Sequence, residues 1–566
     1  MKKITSIVVV ILGLGTLAVA QTHLAAGRPT QNLKMSRDLQ SANPDETLNV
    51  IVQFKQQLTE RHHQAMRARG GKLRVGLEMI RAATYSMPAA RLAELANDPD
   101  VEYVSPDRAV QATMDLAGAA TSASIEFQYG FDGNGVTVAT IDSGIMDSHP
   151  DFQDASNRSR VVYSESFNLS EGNDYFDRFG HGTHVAGILG GDASMSTGSS
   201  YTRTFRGIAP KVRFVNLKVL DRQGAGTDSM VIAAIQRAIA LKSTYNIRIL
   251  NLSLGRPVHD SYTKDPLCQA VEAAWKAGIV VVVAAGNMGR ESSGGTNGYG
   301  TILAPGNDPY VITVGAMKTM GTPGRGDDQI ASYSSKGPAA IDHIVKPDLV
   351  APGNKIVAAL PTGLALTNSY PANKILNSSY IKFGVAQGSD YYFQLSGTSM
   401  AAPMVSGAAA LLLQANPNLT PDQVKARLMR TASKSFPQSS VVTDAASGKV
   451  YTSYYDMFTV GAGYLDIAAA LGDQTAFAGR ALSPIAVWDP ASKTARLNCS
   501  NAICGTGSLW GSGSLWGSSL FINGTGSLWG SGSLWGSGAL WGSGSLWGSS
   551  SSVSAELTSI FLFGEN

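Results

Sequence analysis

A short turn, residues 395–403 (LSGTSMAAP), carries a serine in a setting suited to attack on a carbonyl group. The turn runs into a long segment of small and apolar residues that predicts a buried helix, with Pro403 in its first turn, where backbone N–H groups lack helical partners. Ser399 then lies where the helix begins, and the helix dipole there can stabilise an oxyanion formed by its hydroxyl. The alternative is that Ser399 only caps the helix.

A carboxylate and an imidazole that could activate this serine occur at two other element ends. Asp142 closes an apolar strand in TIDSGI, and His181 opens a helix of small residues in GHGTHVAGILGG. Acyl transfer by serine needs a base for the hydroxyl proton and a carboxylate that holds the imidazole in one tautomer. Taken singly, Asp142 could be an ordinary strand-end carboxylate, and His181 and His184 could bind a metal, although no third ligand of suitable spacing is evident. Taken together, the three residue types predict nucleophilic serine chemistry.

The elements that would position these residues follow from an alternation that begins near residue 133. VTVATID, IRILNLSLG and IVVVVAAGN are apolar without alternating polarity, which suits strands buried on both faces, and stretches such as DSMVIAAIQRAIALKS predict helices between them. We therefore predict an α/β fold, a mostly parallel sheet with helices on both faces and the active site at the carboxyl ends of the strands. A nucleotide-binding fold would need a glycine-rich phosphate turn after the first strand, and DSGI at residues 142–145 is not one.

On these motifs, residues 113–472 resemble the catalytic domain of the subtilisin-like serine proteases, the subtilase family, whose triad has the same chain order. The resemblance implies a serine endopeptidase in which Ser399 is the nucleophile, His181 the general base and acid, and Asp142 the carboxylate that orients it. It requires no cofactor for the chemistry.

Three further segments resemble the oxyanion-hole and substrate-binding segments of that family. The resemblance implies that Asn287 donates its side-chain amide to the tetrahedral oxyanion together with the backbone N–H of Ser399; from the residues alone, Asn287 could be a turn residue. An extended substrate would pair as a strand between two of the segments, where glycines let its backbone approach. No acidic cluster lies in them, which favours broad specificity. The segments are Ala284-Ala285-Gly286, Ser253-Leu254-Gly255 and Gly224-Ala225-Gly226.

One possible calcium ligand is present without the loop that would complete its site. Asp151 in HPDF matches a carboxylate that binds structural calcium in some subtilases, but the glycine- and asparagine-rich loop expected after GHGTHVAG is replaced by GDASMSTGSSYTRTF. Residues 362–394 resemble an insertion before the serine motif, expected as a surface loop with Tyr391 and Tyr392 near the cleft.

The N-terminus predicts export, and the overall charge excludes one class of partner. Residues 1–20 have a basic start, an apolar run and an Ala18-Val19-Ala20 ending, as a cleavable signal peptide has, whereas an uncleaved membrane anchor would need a longer apolar run. We therefore expect a secreted protein, extracellular or at the cell surface. Lys plus Arg (45) nearly balances Asp plus Glu (42), so no global field would attract nucleic acid.

Between a polar linker (residues 21–45) and the catalytic segment, residues 46–112 form a pattern of their own. A strand (NVIVQF), a basic amphipathic stretch, a Gly70-Gly71 turn, a strand near Tyr85, a helix (AARLAELAND) and a last strand (VEYVSPD) follow one another. The pattern resembles the inhibitor-type propeptide of secreted subtilases, which implies a small α+β domain acting as an intramolecular inhibitor. The propeptide junction is expected between residues 111 and 120.

The C-terminal part is dominated by a six-residue repeat, GSLWGS, at residues 506–550, between a linker at residues 473–505 and a tail at residues 551–566. Because six is even, an extended chain would place every Trp on one face. The repeat could serve retention at the cell surface, polysaccharide contact or assembly, or act only as a spacer. In the same region Cys499 and Cys504 could close a small disulfide loop or remain apart.

The sequence as a whole predicts a secreted serine endopeptidase made as a self-processing zymogen that acts on proteins or peptides. Two other functions stay open: a processing protease of narrow specificity, and a surface protein that binds through the tryptophan repeat.

Overall fold

The computed structural model describes residues 34–36, 39, 42–112, 130–291, 296–322, 324–444, 447–489, 494–498 and 564–565. The predicted signal peptide, the GSLWGS repeat and the pair Cys499 and Cys504 lie outside these residues. The described residues all belong to one unit, Lys34–Asn566.

Residues 47–106 form an antiparallel sheet with two short helices, in the order β2-β3-β1-β4. The predicted strands and helices are present, and β2 is an addition. Gly70 has a φ of +79°, as the turn before β2 requires. The elements are β1 (Thr47–Phe54), α1 (Glu60–Ala68), β2 (Lys72–Leu77), β3 (Ala82–Pro88), α2 (Leu92–Ala96) and β4 (Val101–Pro106).

The central sheet of the catalytic domain has eight strands and is parallel except at β14, the edge strand paired antiparallel with β13. Its order is β14-β13-β12-β10-β6-β8-β7, and β15 also pairs with β13, in the parallel direction. The fully buried runs predicted from the sequence, such as VVVVA in β12, form its middle. The strands are β6 (Thr137–Asp142), β7 (Val161–Ser166), β8 (Arg213–Lys218), β10 (Ile247–Leu252), β12 (Val280–Ala284), β13 (Ile312–Lys318), β14 (Gln329–Ile330) and β15 (Leu349–Pro352).

Seven helices accompany this sheet in the described part of the chain. The longest apolar one, α7, is long and apolar enough to span a membrane, but 89% of it is buried in the protein, so it is the core helix. The helices are α3 (His181–Gly190), α4 (Asp228–Tyr245), α5 (Pro266–Lys276), α6 (Ala365–Ser369), α7 (Thr398–Ala415), α8 (Pro421–Thr431) and α9 (Ile467–Gly472).

Smaller sheets line the cleft and the periphery. β5 pairs with β9 and β11, β18 pairs with β16 and β17, and two hairpins complete the set. The strands are β5 (Ala109–Ala112), β9 (Ala225–Thr227), β11 (Leu254–Gly255), β16 (Ile356–Ala359), β17 (Lys374–Leu376), β18 (Gly388–Leu395), β19 (Ser439–Thr443), β20 (Val450–Tyr454), β21 (Ile485–Asp489) and β22 (Thr494–Asn498).

The packing corrects two predicted linkers. Met35 and Leu39, in the first linker, are buried against the apolar side chains of the N-terminal module. In the second, Ala486 is buried in the catalytic core, and β21 and β22 form a hairpin there. These contacts are with residues distant in sequence, so the local pattern did not indicate them.

Candidate active site

The Asp142 carboxylate and the His181 imidazole meet at the carboxyl end of the central sheet. Asp142 is the last residue of β6 and His181 the first of α3, and the distance from Oδ1 to Nδ1 is 2.7 Å. Both side chains are buried. Because a carboxylate accepts the Nδ1 proton, the neutral imidazole carries its lone pair on Nε2, the atom a general base needs.

A second buried carboxylate, Asp177, fixes the turn that presents His181. It accepts hydrogen bonds from the backbone N–H groups of Phe179, Gly180 and Thr183, and from the hydroxyls of Ser143 and Thr183. Burial raises its pKa, and these hydrogen bonds act against that shift. Sequence reasoning missed this residue, which lies three positions before the N-cap, Gly180, outside the position where capping side chains are expected.

Ser399 is the second residue of α7 and is buried. Its Oγ donates to the carbonyl oxygen of Ser253 at 3.1 Å, and the Ser253 hydroxyl donates to the carbonyl oxygen of Ser399 at 2.9 Å. The helices α3 and α7, which begin at His181 and beside Ser399, pack against each other.

Pro403 explains why the Ser399 carbonyl is available to Ser253. The prediction that this proline lies in the first turn was wrong, because α7 begins at Thr398 and Pro403 is its sixth residue. A residue there would normally donate its N–H to the carbonyl four positions earlier, that of Ser399, and proline has no N–H to donate. The Ser253 hydroxyl supplies the missing bond.

Asn287 follows β12 by way of Ala285 and Gly286, and its amide plane is fixed by Thr398. The backbone N–H and the hydroxyl of Thr398 donate to Oδ1 at 3.1 and 3.0 Å, and the same hydroxyl accepts from the Gly286 N–H at 3.1 Å. Since a backbone N–H can only donate, the facing amide atom is the oxygen, and the Nδ2 group is on the other side. Gly286 has a φ of +106°, which disfavours other residues.

The two predicted substrate segments hold a strand of the protein's own chain between them. β5 pairs antiparallel with β9 on one side, Gln111 opposite Ala225 and Val110 opposite Gly226. On the other side Ala112 lies opposite Leu254 and Gln111 opposite Gly255. A Cβ at Gly226 would lie 2.6 Å from a carbonyl oxygen, so only glycine fits there. The predicted Ala284 ends β12 and Gly224 lies one residue before β9.

Comparison with known proteins gives the family. A family model described as the subtilase family matches residues 133–454, more than half of the chain. Serine protease AprX of Bacillus subtilis is 36% identical over 400 residues, which are 68% of this chain and 83% of the relative. Subtilisin E of the same species is 33% identical over 389 residues, 68% of this chain and 84% of the relative.

The chain belongs to the subtilase family. It is therefore a serine-type endopeptidase, a hydrolase, and its substrates are proteins. The structure of fervidolysin from Fervidobacterium pennivorans shares the fold, with a TM-score of 0.55 at 21% identity, over 78% of this chain and 63% of that one. The predicted subtilisin-like α/β fold with a mostly parallel sheet is confirmed.

The calcium ligand suggested by Asp151 does not fit a metal in this subtilase. Its Oδ1 accepts hydrogen bonds from the Ser194 hydroxyl at 3.1 Å and the Met195 N–H at 3.3 Å, and its Oδ2 accepts from the Tyr392 hydroxyl at 2.9 Å. These donors would have to leave before a cation could bind. Within the described residues, no group of three or more His, Cys, Asp or Glu side chains could hold a metal ion.

The hydrogen bond from Tyr392 to Asp151 also corrects the prediction that residues 362–394 form a surface loop. Residues 362–394 are not only a surface loop, because β18 brings Tyr392 into the protein, where its ring is fully buried. Its edge lies against the rings of Tyr380 and Phe205.

His184, three residues after His181, has a structural contact. It is fully buried, and its Nε2 lies 3.1 Å from the carbonyl oxygen of Phe393, so Nε2 carries the proton. Burial lowers the pKa of this imidazole to about 3, with a smaller contribution in the same direction from His181. A neutral ring with a fixed tautomer is the result.

A buried ion pair that sequence reasoning missed joins the ends of the two substrate segments. Arg256 follows β11 and Asp228 follows β9, and the guanidinium donates to Asp228 at 2.9 to 3.0 Å and to Asp265 at 2.8 Å. All three side chains are buried. Bidentate pairing of this kind fixes geometry as well as charge, so the ion pair sets the distance between β9 and β11.

Leu303 was also missed. A Cβ at Gly286 would lie 2.6 Å from Leu303 Cγ, and a Cβ at Gly255 would lie 3.1 Å from Leu303 Cβ. Its side chain is therefore between the oxyanion segment and β11. No local pattern in the sequence indicates this position, because it depends on how distant segments meet.

Proposed function

We propose that this subtilase is a secreted endopeptidase, made as a self-processing precursor, that cleaves peptide bonds through Asp142, His181 and Ser399. The observation that carries the proposal is the strand β5, which lies between β9 and β11 as an extended peptide substrate would, joined to them by backbone pairing. The hydrogen-bonded pair of Asp142 and His181 supports the same reaction.

In the acylation step, Ser399 Oγ forms a bond to the substrate carbonyl carbon while His181 Nε2 takes the hydroxyl proton. Asp142 stabilises the imidazolium through the Nδ1 hydrogen bond. The negative charge that develops on the carbonyl oxygen receives hydrogen bonds from Asn287 Nδ2 and the Ser399 backbone N–H. The C–N bond then breaks, the leaving amine takes the proton from His181, and an acyl-enzyme remains.

In the deacylation step, a water molecule gives a proton to His181 Nε2 and adds to the ester carbonyl. The second tetrahedral intermediate uses the same two donors. The bond to Ser399 Oγ breaks as the proton returns to it from His181, which releases the acid product and restores the enzyme. None of these steps needs a cofactor.

The N-terminal module has the contacts that an inhibitory propeptide would need. Asp260 of the catalytic domain is buried and accepts hydrogen bonds from two groups of the module, Tyr103 Oη (2.6 Å) and Arg108 Nη2 (2.5 Å). A third comes from Ser36 Oγ (2.9 Å), in the segment before the module. Losing some of these hydrogen bonds would leave buried polar groups without partners, which costs free energy. The network therefore favours a module that stays bound after the chain is cut.

The module also reaches the N-terminus of α4. The Asp107 carboxylate accepts from the backbone N–H and the hydroxyl of Ser229 at 2.8 and 2.6 Å, and the carbonyl of Arg108 accepts from the Asp228 N–H at 2.7 Å. First-turn N–H groups lack helical partners and favour a negative charge. This contact lies next to β9, so it supports a propeptide aligned along the substrate cleft.

The register of β5 suggests where maturation occurs. Ala112, the last described residue of β5, lies opposite Leu254, and the carbonyl of the preceding residue, Ser253, accepts from the Ser399 hydroxyl. A substrate bound in this antiparallel register would have its next residue opposite Ser253, with the bond to be cut directly after it. We therefore assign the cut to the bond between Thr113 and Met114, within the range expected from the sequence.

Secretion and broad specificity complete the proposal. One relative, from a Thermus species, is named an extracellular serine proteinase and is 31% identical over 367 residues, 62% of this chain and 70% of the relative. The pairing of β5 with β9 and β11 is through backbone groups, which any substrate sequence offers. A protease that reads mainly backbone accepts many sequences.

The test compares the secreted wild-type protein with Ser399→Ala by intact mass, N-terminal sequencing and casein hydrolysis. We expect the wild type to begin at Met114 and to digest casein, because Ser399 makes both cuts. The Ser399→Ala protein keeps residues 46–112 covalently linked and leaves casein intact. The exposed Ser170→Ala serves as a matched control that matures normally.

Two results would contradict parts of the proposal. If the wild type is folded but neither processed nor active, self-processing through Ser399 is wrong. If it is processed but casein stays intact, the enzyme is a narrow processing protease instead of a broad one.

A further inference from the structure

A polar pocket with two buried cations lies beside the oxyanion segment. Arg290 is three residues beyond Asn287, and Lys318 ends β13; their side chains are 6% and 2% exposed. Ser332 and Asn354 are also buried there. None of these four residues takes part in the proposed chemistry.

Glu565, from the segment that follows the repeat, fills this pocket with its side chain. Its Oε1 lies 2.8 Å from Arg290 Nη2, and its Oε2 lies 3.4 Å from Lys318 Nζ. The Ser332 backbone N–H donates to both carboxylate oxygens, at 3.0 and 3.1 Å, and the Ser332 hydroxyl donates to Oε1. The carboxylate is thus matched by two positive charges and two further donors.

The backbone of Glu565 is recognised as well. Its N–H donates to Asn354 Oδ1 at 3.0 Å, and Asn354 Nδ2 donates to its carbonyl oxygen at 3.0 Å. An amide side chain that pairs with both groups of one residue acts as a strand neighbour would and fixes the direction of the segment. The pocket therefore selects an acidic side chain on an extended backbone.

The energetics favour occupation by an anion. A buried cation loses its hydration and needs an opposite charge with good geometry to compensate. Arg290 also pairs with Asp444 at 2.9 Å, and Glu565 and Asp444 together raise its pKa even though burial alone would lower it. Glu565 is itself only 4% exposed, as a specific ligand would be.

The chain is fixed to the catalytic domain on the other side of the repeat too. Ile485 of β21 bridges to Ile344, the Ala486 N–H donates to the His343 carbonyl at 2.9 Å, and Leu497 of β22 packs on the core. The described segments on both sides of residues 499–563 therefore contact the catalytic domain.

We propose that the pocket of Arg290, Lys318, Ser332 and Asn354 is a docking site for the protein's own C-terminal segment, recognised through Glu565. Residues 551–566, expected from the sequence as a C-terminal tail, would then contain an anchor to the catalytic domain at Glu565. The proposal is independent of the catalytic roles assigned above, because no group of the triad takes part in docking.

The test uses the full chain with Ser399→Ala, to avoid self-digestion, and a site-specific protease sequence in place of residues 520–525 (LFINGT). After the cut, the C-terminal fragment is expected to remain bound on size exclusion. With Glu565→Gln we expect it to dissociate at least about tenfold faster in a surface-binding assay, because a neutral amide cannot replace the charge-assisted bonds. Glu556→Gln, an acid in the same tail, is the matched control and should dissociate as the unmodified fragment does.

Asn354→Ala tests the pocket from the other side and should also accelerate dissociation, with thermal unfolding of the uncut protein confirming that the domain is folded. The docking site is wrong if the unmodified fragment leaves at once on cutting. It is equally wrong if Glu565→Gln is retained as firmly as Glu556→Gln.

Discussion

The amide of Asn287 owes its orientation to the Thr398 hydroxyl, which bonds at once to Asn287 Oδ1 and to the Gly286 N–H. Oxyanion stabilisation depends on donors that are already aimed before the charge develops. Thr398 is therefore a positioning residue, one step removed from the substrate.

Thr398→Val keeps the branched shape and removes both hydroxyl bonds. We expect about a tenfold loss in kcat with KM little changed, since one hydrogen bond that holds the donor is gone in the transition state. Thr398→Ser, which retains the hydroxyl, should stay near wild type, and Asn287→Ala should lose on the order of 10²-fold or more, as the corresponding amide does in this family. Steady-state kinetics on a short peptide substrate checks the series. Equal losses in the Val and Ser variants would contradict it.

Sequence motifs were enough to propose the reactive residues, but not to find the residues that hold them. Asp142, His181, Ser399 and Asn287 are each part of a short motif at an element end, where a local pattern is readable. Thr398 contacts Gly286, which is 112 positions away in the sequence. Leu303 also contacts Gly286, which precedes it by more than 15 positions. The periodicity of apolar residues along the sequence does not indicate contacts between such distant segments.

Among the elements, the sheet of the N-terminal module contacts the catalytic domain through apolar side chains such as Ile51 and Leu77 and through a hydrogen bond to Asp260. Tyr103, on β4, donates its hydroxyl to that carboxylate, whereas Tyr85, on β3, lies with its hydroxyl 2.8 Å from His63 inside the module. Substituting each of these two tyrosines therefore distinguishes an effect on binding to the catalytic domain from an effect on the stability of the module.

Tyr103→Phe should release the cleaved propeptide about tenfold sooner, because it removes a hydrogen bond to a buried charge. Tyr85→Phe should leave the release time unchanged. The lag before casein hydrolysis, followed from a freshly cut precursor, measures both. A Tyr103→Phe lag equal to that of wild type would show that the Asp260 network does not hold the propeptide.

Helices and strands were predictable where the apolar pattern was strong. They were missed where a segment is a strand only because of the segments that it pairs with. The buried strands of the central sheet were expected because their runs are uniformly apolar. β2 (KLRVGL) mixes charged and apolar residues and is a strand only through its pairing with β3. The hairpin of β21 and β22 was assigned to a linker, since its contacts with residues 343–344 are distant in sequence.

For the whole molecule, the buried His184 makes stability depend on pH. Its pKa is about 3 when folded, below the ordinary value of 6.5, because burial opposes the charged form. Between these values the unfolded chain binds a proton that the folded protein does not, so this contribution to stability is lost as the pH falls below about 6.5. The slope is about 1.4 kcal/mol per pH unit.

His184→Gln keeps an N–H for the Phe393 carbonyl and removes the titration. In urea unfolding of the Ser399→Ala protein, we expect the Gln variant to lose about 3 kcal/mol less than its parent between about pH 7.5 and about pH 4.5. Equal losses of unfolding free energy in the two proteins would mean that His184 does not cause the fall in stability at low pH.

The position of β5 has a consequence for the timing of activation. The strand lies in the cleft of its own chain, paired on both sides. A cut made there is a unimolecular event, with a half-time that does not change with the amount of precursor. Under the proposed maturation, removal of the freed module by a second enzyme molecule would be bimolecular and would accelerate as active enzyme accumulates. The first step would then be independent of concentration and the second self-amplifying, so dilute enzyme would stay inactive long after it had been cut.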